Sequence, residues 1–209
     1  MKALLVSGLL LGLSAGLSPG PMLTLVISQT LQHGMREGAK VALAPLLTDI
    51  PIVCVCLLFL SMLSDISVAL GILSIFGGSY LFYLGFSSLR IKGDMIEEDD
   101  MNPESLKKGL MVNFLNPSPY MFWTSIGGPL VLKASAVSLV SAAGFVVPFY
   151  VMLVGSKIGV AIISGKSRNL LKSGHYRLII RLLGLVLIGF GVLFWRDGLT
   201  YLGVAFSPG

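Results

Sequence analysis

The sequence predicts an all-α integral membrane protein with six transmembrane helices, arranged as a 3+3 inverted repeat in which helices 1 and 4 are broken by prolines. Three observations predict this class. Hydrophobic residues make up 55% of the 209-residue chain and charged residues only 12%, about half the share of a soluble domain. Six apolar runs are long enough to cross a hydrocarbon core, which takes about 20 residues. Two of these runs contain paired prolines at matching places in the two halves.

The six predicted spans cover residues 3–28, 41–63, 68–89, 106–131, 134–163 and 178–195. Residues 1–209 form a single membrane domain, with a first three-helix repeat (1–92), an acidic cytoplasmic linker (93–105) and a second repeat (106–209). Asn102-Pro103-Glu104 predicts the start of the fourth helix, because Asn is a good cap and Pro suits the first helical position. The first apolar run also resembles a secretory signal peptide, but its apolar character continues to Ile27, which favours a span.

Lys and Arg are distributed unequally between the two sides of the predicted bundle. One side has only Lys2, Lys133 and Arg196, and the other has Arg36, Lys40, Arg90, Lys92, Lys107, Lys108, Lys166, Arg168, Lys172, Arg177 and Arg181. By the positive-inside rule the richer side is cytoplasmic, so the sequence predicts a multi-pass protein of the cell membrane with both termini outside. Because the basic residues lie between apolar runs rather than along one face, they do not indicate a nucleic-acid partner.

Sequence spacing supports two halves of opposite orientation, since each half has three spans. Pro19 and Pro21 recur 98 positions later as Pro117 and Pro119. The third span of each half repeats a glycine spacing, at Gly78 and Gly85 and again at Gly184 and Gly191. Chance glycine matches are common in membrane helices, so the proline pairs are the stronger indication.

The two proline-broken segments predict a binding site. Each proline removes a backbone N–H, and the groups left without partners are tolerated in a membrane only where they are buried in protein or line a wet cavity. Paired interruptions of this kind indicate a transporter's substrate site. Gly20 and Asp49 are each about 14 residues from the predicted hairpin centre at Gly34, so they should lie at one depth, near the midplane.

Asp49 is the only acid well inside a predicted span. A charge there costs at least ~2.5–3.5 kcal/mol, so this side chain should be paired, protonated or facing water. Two interpretations stay open. Asp49 carries a proton or binds a cationic group, or it makes a structural hydrogen bond to backbone freed at Pro19 or Pro21.

The second break contains amide and phenol groups beside free backbone, at Asn113, Asn116 and Tyr120. Such groups can bind a small zwitterion, because half-helix N-termini favour a carboxylate and unwound carbonyls favour an ammonium. The alternative is hydrogen bonding that packs the bundle. The candidate residues for substrate binding and coupling are therefore Pro19, Gly20, Pro21, Asp49, Asn113, Asn116, Pro117, Ser118, Pro119 and Tyr120.

Other polar and aromatic residues receive structural interpretations. We interpret Lys157 as a lysine that extends to the cytoplasmic interface rather than as a pathway residue. Trp123 and Phe122 are interpreted as packing or lipid-facing residues, and Gln29 lies at the cytoplasmic mouth of the first hairpin, beside which a solute would enter. Cys54 and Cys56 diverge on one helix, so they indicate no disulfide or metal framework. The sequence predicts no cofactor.

Several segments resemble the LysE/RhtB amino-acid exporter family over nearly the whole chain. The resemblance lies in GLSPGP at 16–21, GMREG at 34–38, the Asp of the second span, GSYLFYLG at 78–85 and KGLMVNFLNP at 108–117. It implies a six-helix inner-membrane exporter, not an enzyme, which moves amino acids or related small solutes with the proton gradient. Its expected partners are a small solute, protons and membrane lipid, and a homo-oligomer stays open. Asp49, Asn113 and the broken segments would serve the pathway.

Two departures from the family pattern bear on the substrate. Family members commonly have a Gly-rich stretch before the second-span Asp, whereas here Pro45 and Pro51 flank Asp49 and predict an irregular helix. Met22 stands where the family often has a polar residue. Both favour a less polar amino acid or another amphipathic metabolite. The alternatives are a membrane thiol oxidoreductase and a divalent metal efflux protein of the same superfamily, although the chain has no His-rich or Cys/His tract.

Overall fold

A computed structural model describes residues 1–62, 67–90, 103–168 and 173–204, and the regular structure in these ranges is helical throughout. The predicted linker over 93–105 lies outside the described residues except for its last three. The helices are α1 (Lys2–Leu17), α2 (Pro21–His33), α3 (Met35–Met62), α4 (Ser67–Leu89), α5 (Ser105–Phe114), α6 (Pro117–Phe122), α7 (Gly128–Ser135), α8 (Leu139–Arg168) and α9 (Ser173–Tyr201), with a π-helical turn (Trp123–Gly127) between α6 and α7.

Within the described residues, four helices are long and apolar enough to cross a membrane, and α1 with α2 forms a fifth candidate span bent by 62°. The predicted all-α membrane class is confirmed. The segment predicted as the fourth span instead consists of α5, α6, the π-helical turn and α7, each too short to cross alone. The six-span 3+3 arrangement therefore stays a prediction.

Both predicted helix breaks are present. At the first, α1 ends at Leu17, Gly20 is fully extended (φ −173°, ψ 178°) and α2 starts with Pro21 at its first position, where the missing N–H removes no helical hydrogen bond. At the second, Asn116 is extended, and its side-chain oxygen accepts a hydrogen bond from the backbone N–H of Ser118 at 3.0 Å. Each break thus has its own local geometry.

Two local predictions are wrong. Pro103 is not the first residue of a helix, because Glu104 has a left-handed backbone (φ 47°) that cannot continue a right-handed helix, and α5 begins at Ser105. The predicted cap, Asn102, lies outside the described residues. The second predicted span was expected to be irregular at its extra prolines, but α3 continues as one helix through Pro45 and Pro51. Packed neighbouring helices stabilise a membrane helix across a proline, which removes only one hydrogen bond.

Glycines bring α4 and α9 into close antiparallel contact. Gly78 faces Gly191 and Gly85 faces Gly184, so that a Cβ on Gly191 would lie 3.0 Å from the carbonyl oxygen of Gly78. On the other side of the bundle, α1 packs along α8 through a second row of small residues, with Gly12 against Phe149. Small residues at these positions let helix backbones approach closely, as is usual between membrane helices.

Two buried apolar clusters lie beside the breaks. One contains side chains of α2, α3, α4, α5, α8 and α9, and the other centres on Ile52, Trp123, Phe145 and Phe149 from α3, the π-helical turn and α8. The two broken segments therefore lie between long helices that hold them from either side.

Candidate substrate cavity

A cavity of about 290 Å³ lies where the two breaks meet. The first break contributes Pro19, Gly20 and Pro21 to its wall. The second contributes Asn116, Ser118 and Pro119. This volume is at the lower end of the roughly 300–1,000 Å³ of small-molecule pockets, so the cavity suits a small solute.

Asp49 lies in the cavity wall and is only 4% exposed. One carboxylate oxygen accepts a hydrogen bond from the Asn113 side-chain amide at 2.9 Å, and the other accepts one from the Tyr150 hydroxyl at 3.0 Å. The expectation that Asp49 bonds to backbone freed at the first break is therefore wrong, because its partners are side chains on α5 and α8.

Asn113 makes two hydrogen bonds from one amide nitrogen. It donates to Asp49 and, at 2.6 Å, to the Thr48 hydroxyl, which in turn donates to the Ala44 carbonyl at 3.1 Å. The hydrogen bonds of Asn113 join α5 to α3, and because the residue also lines the cavity, its role in substrate binding stays a prediction. It places the polar groups of the second break against the acid beside the first.

Lys157 does not extend to the interface, so that prediction is wrong. Its side chain is 4% exposed, and its ammonium donates to the carbonyl oxygens of Gly16 at 2.9 Å and Ala15 at 3.4 Å. These carbonyls belong to the last turn of α1, where no helical partner exists and the helix dipole favours a cation. The sequence contained the signal, since carbonyls left free before Pro19 need a donor.

Asp49 and Lys157 line the same cavity with opposite charges. The structure shows no direct ion pair between them, and each is hydrogen-bonded to other groups. The cavity wall therefore contains an acid and an amine that are not paired with each other.

Aromatic rings form a large part of the remaining wall. Trp123 is 2% exposed and stacks on Tyr150 with centroids 6.3 Å apart, and Phe122 stacks on Phe149 at 5.0 Å. Trp123 therefore packs inside the protein, as one of its two interpretations proposed, and does not face lipid. Both Phe122 and Trp123 also contact the cavity.

The model of the LysE type translocator family matches residues 13–198, which is most of the chain. The chain belongs to the LysE type translocator family. The predicted resemblance is confirmed, and with it a multi-pass membrane transporter of small solutes rather than an enzyme. No curated protein and no solved structure matches the chain.

Eight of the ten candidate residues of this LysE type translocator line the cavity, and Tyr120 and Pro117 do not. The Tyr120 hydroxyl donates to the Phe114 carbonyl at 3.0 Å, and its side chain lines a separate pocket of about 110 Å³ beside Cys56. Asn113, Asn116 and Tyr120 do not share one helix face, because α5 ends at Phe114 and a new helix begins at Pro117.

On one side of the cavity, α2 packs directly on α5 in this translocator. The Ser105 hydroxyl donates to the side-chain oxygen of Gln29 at 2.8 Å, and both residues are buried. Gln29 thus does not form an open mouth, because this hydrogen bond joins the two helices about two turns from the breaks. The same end includes the Lys40–Glu37 ion pair at 2.6 Å.

Proposed function

We propose that this LysE type translocator is a secondary active exporter of amino acids or related small amphipathic metabolites. It is coupled to protons and works by alternating access around the cavity between the two breaks. The observation that carries the proposal is Asp49, a buried acid in the wall of that cavity, hydrogen-bonded to residues of α5 and α8. An intramembrane acid in this position is typical of a proton pathway.

Hydrogen-bond chemistry supports a coupling role for Asp49. An ionised carboxylate is an acceptor only, and both of its oxygens here accept from neighbouring helices. A protonated Asp49 has one O–H donor and weaker acceptors, so its hydrogen bonds to Asn113 and Tyr150 would weaken or rearrange. The protonation state of Asp49 would thereby alter how α3 is joined to α5 and α8.

The packing of the helices supports the inverted repeat. Under an exchange of the two halves, the pair α1 with α8 corresponds to α5 with α3, and both pairs are in contact. In the third spans the exchange pairs Gly78 with Gly184 and Gly85 with Gly191. It therefore converts the observed Gly78–Gly191 contact into the observed Gly184–Gly85 contact.

Closure on one side of the cavity supports alternating access. By the charge pattern of the loops, the end of α2 and α5 that contains Gln29 and Ser105 is cytoplasmic. Solute entry from the cytoplasm requires these two helices to separate. The structure would then correspond to a state closed to the cytoplasm, and antibody access to tags on both termini of intact cells tests the orientation on which this depends.

Transport in proteoliposomes with an imposed pH gradient tests the proposal. A panel of amino acids and dipeptides is first screened by efflux from preloaded cells, and the solutes that move are then assayed with purified protein. Asp49→Asn should abolish gradient-driven transport while leaving the protein folded, which thermal unfolding in detergent checks. The matched control is Asp197→Asn, which changes an exposed acid near the end of α9. Undiminished gradient-driven transport by Asp49→Asn would remove Asp49 from the coupling role.

No observation favours the alternative functions. Cys54 is exposed and Cys56 is buried, and both thiols are free, so the pair is not arranged for dithiol chemistry. Among the described residues no group of three or more His, Cys, Asp or Glu could hold a metal ion. Neither redox chemistry nor metal efflux is therefore part of the proposal.

A further inference from the structure

We infer that Lys157 binds the carboxylate of the solute and makes the cavity selective for neutral amino acids with apolar side chains. This inference rests on the proposed transport function. It assigns a specificity-determining role to Lys157, for which the sequence alone predicted only a position reaching the cytoplasmic membrane interface. Three features of the structure support it. They are the hydrogen bonds that hold Lys157, the carboxylate of Asp49 in the same cavity, and the side chains that line the rest of the wall.

Lys157 is held so that part of its hydrogen-bonding capacity stays available. A protonated amine has three N–H donors, and the structure provides two acceptors, the carbonyls of Gly16 and Ala15. These carbonyls fix the ammonium beside Ser18, Pro19 and Gly20 at the cavity wall. A third donor therefore remains for a ligand, and a carboxylate is the strongest acceptor for it.

The protein's own carboxylate in this cavity is already engaged. Both oxygens of Asp49 accept hydrogen bonds, from Asn113 and Tyr150, and no direct ion pair joins Asp49 to Lys157. A zwitterion placed between them would satisfy both charges, with its carboxylate on Lys157 and its ammonium toward Asp49. The start of α2 adds the backbone N–H groups of Met22 and Leu23, since Gly20 provides no side-chain cap.

Apart from the neutral polar residues Ser18, Asn113, Asn116 and Ser118, the rest of the lining is apolar, and among the described residues it contains no further acid. Met22, Phe122, Phe149, Leu153, Phe190 and Phe194 contribute to it. A cationic amino acid would place its second positive charge against these side chains with no carboxylate to pair it, and desolvating an unpaired charge is costly. The chemistry of the cavity therefore favours an apolar side chain on a neutral zwitterion.

The test compares L-phenylalanine with L-phenylalaninamide, which keeps the ammonium and the ring but lacks the carboxylate, and with L-lysine. In proteoliposomes the wild-type protein should move phenylalanine in preference to both. Lys157→Met should weaken phenylalanine transport by about 10- to 100-fold in KM, as expected for loss of a charge-assisted hydrogen bond, and leave transport of the amide unchanged. Lys157→Arg, which keeps the charge, should restore part of the preference. Lys166→Met, an exposed lysine on the same helix, is the matched control.

A second measurement does not depend on transport or on the folding of a variant. Binding to the native state raises the unfolding temperature, so phenylalanine should stabilise the purified wild-type protein more than phenylalaninamide or lysine. Equal stabilisation by acid and amide, or by none of the three, would overturn the assignment of Lys157, as would a Lys157→Met variant with unchanged preference. If the wild-type protein transports no amino acid, the proposed function fails, whereas the stabilisation data still decide on the carboxylate site.

Discussion

The amide nitrogen of Asn113 lies 2.9 Å from a carboxylate oxygen of Asp49, which joins the helix before the second break to the helix that lies beside the first. The two residues are 64 positions apart in the chain. Their contact makes the two breaks parts of one site, with the acid on one side and the amide on the other.

The two hydroxyl groups of Tyr150 and Tyr120 should differ in function. Tyr150→Phe removes the donor to Asp49 but keeps the ring that stacks on Trp123, so gradient-driven transport should fall by about tenfold or more. Tyr120→Phe removes only a bond to the Phe114 carbonyl, outside the cavity, and should leave transport near wild type. Rates in proteoliposomes at equal protein content measure both, and equal loss in the two variants would contradict the separation.

Substitutions of Asn113 and Asn116 should have different effects. Loss of Asn113 should lower transport, whereas loss of Asn116 should lower stability. Asn113→Ala deletes the donor to both Asp49 and Thr48, and we expect transport to fall by about tenfold or more. Asn116→Ala deletes the cap of α6 and should lower the free energy of unfolding by about 1 kcal/mol. Thermal unfolding in detergent alongside transport distinguishes them. The prediction is wrong if Asn113→Ala transports at the wild-type rate.

Close packing of α4 against α9 should tolerate no side chain at Gly191. A Cβ there would lie 2.8 Å from the Phe82 ring and 3.0 Å from the Gly78 carbonyl, so Gly191→Ala should destabilise the protein by about 1–3 kcal/mol. Gly189→Ala on the same helix meets nothing within 4 Å and is the matched control. Unfolding temperatures in detergent should fall only for the first variant, and similar temperatures for both would show that the contact is not tight.

Linking α2 to α5 should stop transport if these helices separate during the cycle. Cysteines at Gln29 and Ser105, in a protein with Cys54 and Cys56 replaced by serine, place two thiols where the side chains now touch. A short homobifunctional thiol reagent should block efflux in the double variant, and a cleavable reagent should allow recovery on reduction. Each single cysteine variant is the control. Full efflux by the cross-linked protein would contradict alternating access at this end.

The sequence was a good guide to the two breaks and to the place of Asp49 beside the first, because both depend on local rules. The paired prolines coincide with breaks, whereas α3 continues through Pro45 and Pro51. Gly20 and Asp49, at similar distances from the turn at Gly34, line one cavity. The start of α5 was missed because a left-handed residue, Glu104, took precedence over a favourable cap and proline.

Lys157 was misplaced for a different reason. A lysine about two turns from an interface has enough length to reach it, and this local argument takes no account of acceptors on a distant segment. Here the carbonyls of Ala15 and Gly16, about 140 residues away in the chain, bind the ammonium. The local sequence likewise does not show that the Tyr120 hydroxyl bonds to the Phe114 carbonyl outside the cavity.

The glycine contacts between α4 and α9 have a mechanical consequence. Because the two backbones touch at Gly78–Gly191 and at Gly85–Gly184, neither helix can roll about its own axis without a collision. In the proposed alternating-access cycle, rearrangement around the cavity would therefore fall to the short helices beside the breaks. The α4–α9 pair would then stay fixed during transport, and only the short helices beside the breaks would need to move to carry a solute across.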